Sequence, residues 1–156
     1  MAHRNKIIVT AAALAVAAAV AAAAVAGGSG PARTLTFVSR AEPNNIAFDD
    51  LGAKSPQGPD IGDLLAFTHD LLANGKPVAL VHLAAVGVDH KRHLSEAFGT
   101  IVLQGGTINL SGLVPQAPRF TLAVAGGTGT YTGARGTVTI STPGHTSTLT
   151  INLAAS

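Results

Sequence analysis

The sequence predicts an all-β protein: an eight-stranded antiparallel up-and-down β-barrel with little helix. Three observations carry this expectation. The second half of the chain alternates apolar and polar residues with period two, the mark of half-buried strands. The connections between these runs are short and rich in glycine or proline, which suits hairpins rather than helical crossovers. Finally, an open sheet leaves a hazardous edge, and closure of eight strands removes it while leaving an interior for side chains or one small ligand. The alternation by itself fits a two-sheet sandwich as well.

The elements follow in order. Residues 1–26 hold 21 hydrophobic residues, mostly alanine, behind a basic start of His3, Arg4 and Lys6. Ala24, Val25 and Ala26 fit a small-x-small cleavage site before Gly27, so this segment is expected to be a signal peptide and the mature protein to be secreted. Alanine is weakly apolar, which disfavours a stable span, and no membrane contact is expected after cleavage; a retained anchor is the alternative. Residues 27–33 read as a flexible leader, and 34–156 as one barrel domain.

Thr34–Arg40 is the first expected strand. Asn44–Pro59 carries Asn, Asp, Gly and Pro and is expected to be a long loop. Asp63–Leu72 has apolar spacing that suits helix or strand. Val78–Val88 and Leu94–Gln104 are expected strands separated by the polar turn Asp89–His93. Beyond them, Ile108 and Leu110 alternate with Thr107, Asn109 and Ser111. The same pattern recurs in Arg119–Ala125, Thr137–Ser141 and Thr148–Leu153. The Thr/Asn faces are expected to point outward and the aliphatic faces inward.

Charge excludes several functions. All eight acidic residues lie between Glu42 and Glu96, and from Ala97 onward the only charges are Arg119 and Arg135. Without Arg4 and Lys6 the chain is balanced, so no basic surface is available for nucleic acid. With no cysteine, disulfides, thiolate zinc sites and a cysteine nucleophile are excluded.

Three segments resemble the allene oxide cyclase and dirigent barrel superfamily. Gly126–Val138, GGTGTYTGARGTV, is similar to its GGTG-x-aromatic-x-x-ARG-x-V hairpin; Gly105–Gly112 is similar to its glycine-led strand; and Gly62–Thr68, GDLLAFT, is similar to the GDL-x-x-FT of the cyclases. The resemblance implies an eight-stranded antiparallel barrel, a homotrimer, and cyclisation of a reactive molecule or steering of radical coupling without metal or organic cofactor. An ungapped match puts Ser39 and Ala41 where plant cyclases carry a glutamate and an asparagine. It puts His69 where they carry a water-binding asparagine.

The candidate site residues follow. His69 is expected either to act as acid or base near neutral pH or to be a satisfied structural histidine. His82 lies among apolar residues on a long strand, with Leu80 and Ala84 on its face, and is expected to point into the lumen or to be a hydrogen-bonded core residue. Tyr131 and Arg135 share the glycine-rich hairpin; they either polarise a ligand oxygen at a barrel mouth, or pack the turn and tie down a carbonyl. Phe67 is expected to line the ligand space. The glycines of 126–136 match no phosphate-loop spacing and read as turn glycines. Asp89, His90 and His93 have a metal-like spacing, but Lys91 and Arg92 oppose a cation, and no metal is expected.

The expected function is therefore a secreted barrel that binds a small apolar molecule and steers its cyclisation or coupling. A non-catalytic small-molecule carrier, or a structural cell-surface barrel using its Thr-rich outer face, is the alternative.

Overall fold

The computed structural model describes residues 32–40, 45–51, 60–144 and 146–155. The expected signal peptide, and all of the leader except residues 32–33, lie outside them. Among the described residues there are nine strands: β1 (Arg33–Arg40), β2 (Ile46–Asp49), β3 (Leu64–Ala73), β4 (Lys76–Asp89), β5 (Leu94–Leu103), β6 (Gly106–Pro115), β7 (Arg119–Gly127), β8 (Gly136–Ser141) and β9 (Thr146–Leu153). Neighbours pair antiparallel in the order β1-β9-β8-β7-β6-β5-β4-β3, and β1 pairs back onto β3. The result is a closed eight-stranded barrel, with β2 added to the edge of β3.

Two local expectations are settled or corrected. The ambiguous segment at Asp63–Leu72 is strand from Leu64 on: His69, Leu71 and Ala73 are buried and alternate with half-buried Thr68, Asp70 and Leu72. The expected loop Asn44–Pro59 contains a strand. Ile46 and Phe48 alternate with Ala47 and Asp49, and this short run pairs with Phe67–Leu64 on β3. β1 leaves that stretch of β3 free by pairing farther along it, at Leu71 and Leu72.

Period-two alternation fixes the interior. Leu71, Val81, Ile101, Ile108, Leu122, Val138 and Ile151 are the largest fully buried side chains, one from each strand β3 to β9. Leu35 and Phe37 of β1 join them. Register aligns Val81 with Ile101 and Ile108, and Leu122 with Val138, Ile151 and Leu35. Leu71, Ile101, Ile108, Leu122, Val138 and Ile151 expose no surface at all, so this section of the lumen is packed at interior density. Each such side chain contributes about 1.5–3 kcal/mol by leaving water.

The glycine-rich segment closes one end. A 3-10 turn, Gly129–Tyr131, follows β7 and places Tyr131 in the core cluster. Its backbone is tied to the β5–β6 turn by Thr130 N–H donating to the Gly105 carbonyl at 2.9 Å, and to β6 by Thr128 N–H donating to the Thr107 carbonyl at 2.9 Å. Gly129 has φ +59°, and a Cβ there would strike the Gly105 carbonyl oxygen. The turn thus needs glycine for close backbone approach.

The exterior is two-sided. Thr121, Thr139, Thr150 and Thr36 form one row in register across β7, β8, β9 and β1. The Thr121 and Thr139 hydroxyls are 3.1 Å apart. The polar face is outward, as expected. The β4–β6 side instead exposes Leu80, Phe98, Val102 and Leu113.

Candidate functional site

Two buried polar side chains of the strands, Ser39 and His69, meet in the lumen. Ser39 is the next-to-last residue of β1. Alternation puts it on the face of Leu35 and Phe37, hence inside. His69 lies on the inner face of β3 with Leu71. Ser39 Oγ and His69 Nδ1 are hydrogen-bonded at 3.2 Å, with Ser39 2% and His69 9% exposed. Phe67, two residues back on the same face, stacks on the imidazole at a centroid distance of 4.5 Å and 24° between planes. Ser147 pairs with Ser39 on β9 and accepts or donates a 2.8 Å bond with Thr142. The arrangement is a hydroxyl and an imidazole, held against an aromatic ring in an otherwise aliphatic interior. Such a pair can donate to or accept from a ligand oxygen or move a proton.

The segment before β3 is fastened to β4. The buried Asp63 carboxylate accepts the Leu51 N–H at 3.1 Å and the Asp60 N–H at 2.7 Å. Gly62 N–H donates to the Gly87 carbonyl, and Gly87 N–H donates to the Asp63 carbonyl, both at 2.9 Å. A Cβ on Gly87 would collide with the Asp60 carbonyl oxygen. The GDL motif is therefore a backbone fastener: its glycine and aspartate dock this segment on β4.

The other expected site residues are placed as follows. His82 does not point into the lumen. It lies with Leu80 and Ala84 on the outer face of β4, since Val81, Leu83 and Ala85 are the buried set. Its Nδ1 is bonded to Thr68 Oγ1 at 2.9 Å on the exterior. Tyr131 is buried in the core cluster through the 3-10 turn. Arg135 is exposed, and its Nη1 donates to the carbonyls of Ala134 at 2.8 Å, Ala125 at 3.4 Å and Gly133 at 3.5 Å. It clamps the hairpin. Only Phe67 and His69 of the expected set come together, and Ser39 joins them.

The Asp89–His93 turn uses its groups on one another and on the fastened segment. His90 Nδ1 meets Asp60 Oδ1 at 2.6 Å. Arg92 donates to Asp89 through its side chain at 2.7 Å and its N–H at 2.9 Å. These bonds hold the Asp89 carboxyl below its ordinary pKa. Among the described residues no group of His, Asp and Glu is arranged to hold a metal ion.

No family model and no curated protein sequence matches the chain. Solved structures do match. A protein titled pyocyanin demethylase is 29% identical, with a TM-score of 0.67 over 78% of this chain and 100% of that one. A pterocarpan synthase dirigent protein is 17% identical, with a TM-score of 0.68 over 83% of this chain and 98% of the other. A Diels-Alderase from Streptomyces koyangensis is 15% identical, with a TM-score of 0.57 over 79% of this chain and 64% of that one. The closed eight-stranded ring is thus the fold of these neighbours, dirigent proteins and a Diels-Alderase among them.

Proposed function

We propose that the barrel binds a small apolar molecule at its Ser39 end and steers that molecule's cyclisation or coupling. The observation that carries the reading is the buried Ser39–His69 pair, stacked on Phe67 inside an aliphatic lumen. Small-molecule sites are mostly apolar with a few convergent polar groups. In this reading His69 orients a ligand oxygen or shifts a proton, Ser39 sets the imidazole's orientation, and Phe67 supplies a flat wall. Holding a reactive molecule in one conformation, away from water, directs which bond forms. The dirigent and Diels-Alderase neighbours support a barrel of this use.

The test is stereochemical. Phenoxy radicals generated from a propenylphenol couple to a racemic product when free. The protein is expected to give an excess of one enantiomer, and Ser39→Ala and His69→Ala are expected to erase it. Racemic product with the wild-type protein, together with no small molecule retained in native mass spectrometry, sinks the proposal.

The likeness to pyocyanin demethylase, over the whole of that protein and 78% of this chain, favours a second reading, in which the ligand is a flat tricyclic aromatic of the pyocyanin type. Titration with pyocyanin followed by its visible absorbance separates the two. Export and trimer formation belong to the same proposal. Amino-terminal sequencing of protein from the medium tests the first, with Gly27 as the expected start. Light scattering tests the second.

A further inference from the structure

The strand that the sequence hides as a loop extends the site. In an antiparallel pair, residues directly opposite share a face. Ile46 is opposite Phe67, and Phe48 is opposite Leu65. Phe67 and Leu65 lie on the face of β3 that carries His69 and Leu71. The inner face of β2 therefore prolongs the lumen wall beyond the eight-stranded ring. It is apolar and open: Ile46 is 42% and Phe48 60% exposed. Single exposed hydrophobics need no explanation. These two are continuous, through Leu65 and Phe67, with the Ser39–His69 pair.

We propose that β2 is a second subsite, which takes the extended apolar part of a ligand whose hydrogen-bonding group lies at Ser39 and His69. This rests on the reading of the lumen as a ligand site and adds a length requirement to it. A ligand small enough to end at Phe67 gains nothing from β2. A longer one covers Ile46 and Phe48 as it lies along the wall. The geometry thus selects for an elongated molecule, polar at one end.

A homologous series tests it. The purified protein is titrated calorimetrically with para-alkylphenols from ethyl to octyl. With the wild type, affinity is expected to rise about fourfold for each methylene that is buried, and to keep rising through the long members. In Ile46→Ser/Phe48→Ser the rise is expected to stop partway, so that the octyl compound weakens by about tenfold or more and the ethyl compound is unchanged. Phe98→Ser, an exposed change on the outer face, is expected to follow the wild type. If the double variant tracks the wild type, or Phe98→Ser weakens octylphenol equally, the subsite is overturned. If wild-type protein binds no member at all, the lumen reading fails, and the subsite with it. A second measurement does not depend on the variants folding. An octylphenol with a diazirine at its chain end is expected to label residues 46–48 of the wild type, and labelling confined elsewhere overturns the proposal.

Discussion

The hydrogen bond between Ser39 and His69 has a measurable energy, and a double-mutant cycle isolates it. Ser39→Ala strips the imidazole of its hydroxyl partner inside an aliphatic lumen. Both residues are more than nine-tenths buried, so the cost is that of stranding a buried polar group, about 1–3 kcal/mol. His69→Leu strands the hydroxyl instead and also loses the stack on Phe67, which adds about 0.5–1.5 kcal/mol. The double variant removes both partners and fills the space with apolar atoms. Such paired replacements are close to neutral. The two single losses should therefore exceed the double loss by about 1 kcal/mol or more. Urea unfolding followed by far-ultraviolet circular dichroism reads all four proteins. Equal m values would show that the unfolding transition is unchanged in character. A coupling energy below about 0.5 kcal/mol, the range of independent sites, would refute the claim that the pair is an energetic unit.

Other consequences are open to similar measurement. Gly87→Ala forces the Asp60 carbonyl away from β4 and strains the two backbone bonds across Gly87; a loss on the order of 2–4 kcal/mol is expected in the same urea assay. Tyr131→Ala empties part of the core cluster and should cost about 3 kcal/mol, with the Ser39–His69 bond left intact by imidazole nitrogen shifts in NMR. The Asp89 carboxyl has a depressed pKa in the folded state, so its stabilising bonds to Arg92 are fully present above the unfolded value. They are lost as pH falls through the depressed folded value. A carbon-detected NMR titration should place Asp89 below the ordinary carboxylate range, and Arg92→Ala should raise it part of the way back, since the N–H of residue 92 still donates to it. Unchanged titration in that variant would remove Arg92 as the cause.

The barrel was legible because its second half obeys one rule. From Gly106 to Leu153 the strands, Leu113 apart, have an aliphatic inner face and a mostly polar or small-residue outer one, and the buried residues are those the alternation names, from Ile108 to Ile151. The rule weakens where both faces are apolar. On β4, Val78, Leu80 and Val88 face out while Val81, Leu83 and Ala85 face in, so pattern does not say which face carries His82. β2 was hidden by its length: four residues amid Asn, Asp, Gly and Pro read as loop, and only the free edge of β3 makes them a strand. His69 and Phe67 were found through the GDL-x-x-FT resemblance. Ser39 was marked only as a departure from it. Yet its two-residue spacing from Phe37 already put it on the inner face, and pairing with His69 required the β1–β3 closure, which joins residues 30 apart. For Tyr131 and Arg135 the sequence leaves two alternatives, because a short motif does not say whether its loop folds over the barrel or away from it.

The closure between β1 and β3 has a dynamic consequence. Among the described residues these strands meet through Val38–Leu72 and Ser39–Leu71, whereas β1 pairs with β9 along its whole length. A ladder this short gives little resistance to local opening, and regions poor in backbone bonds open first in native proteins. The Ser39–His69 bond spans that same junction. The barrel's weakest seam is therefore laced by the two side chains proposed to meet the ligand. Amide hydrogen exchange should be fastest for Val38 and Ser39 among the interior strand positions, and slower when the lumen is occupied. A molecule that engages both side chains would then act as a clasp, tightening the cylinder around itself.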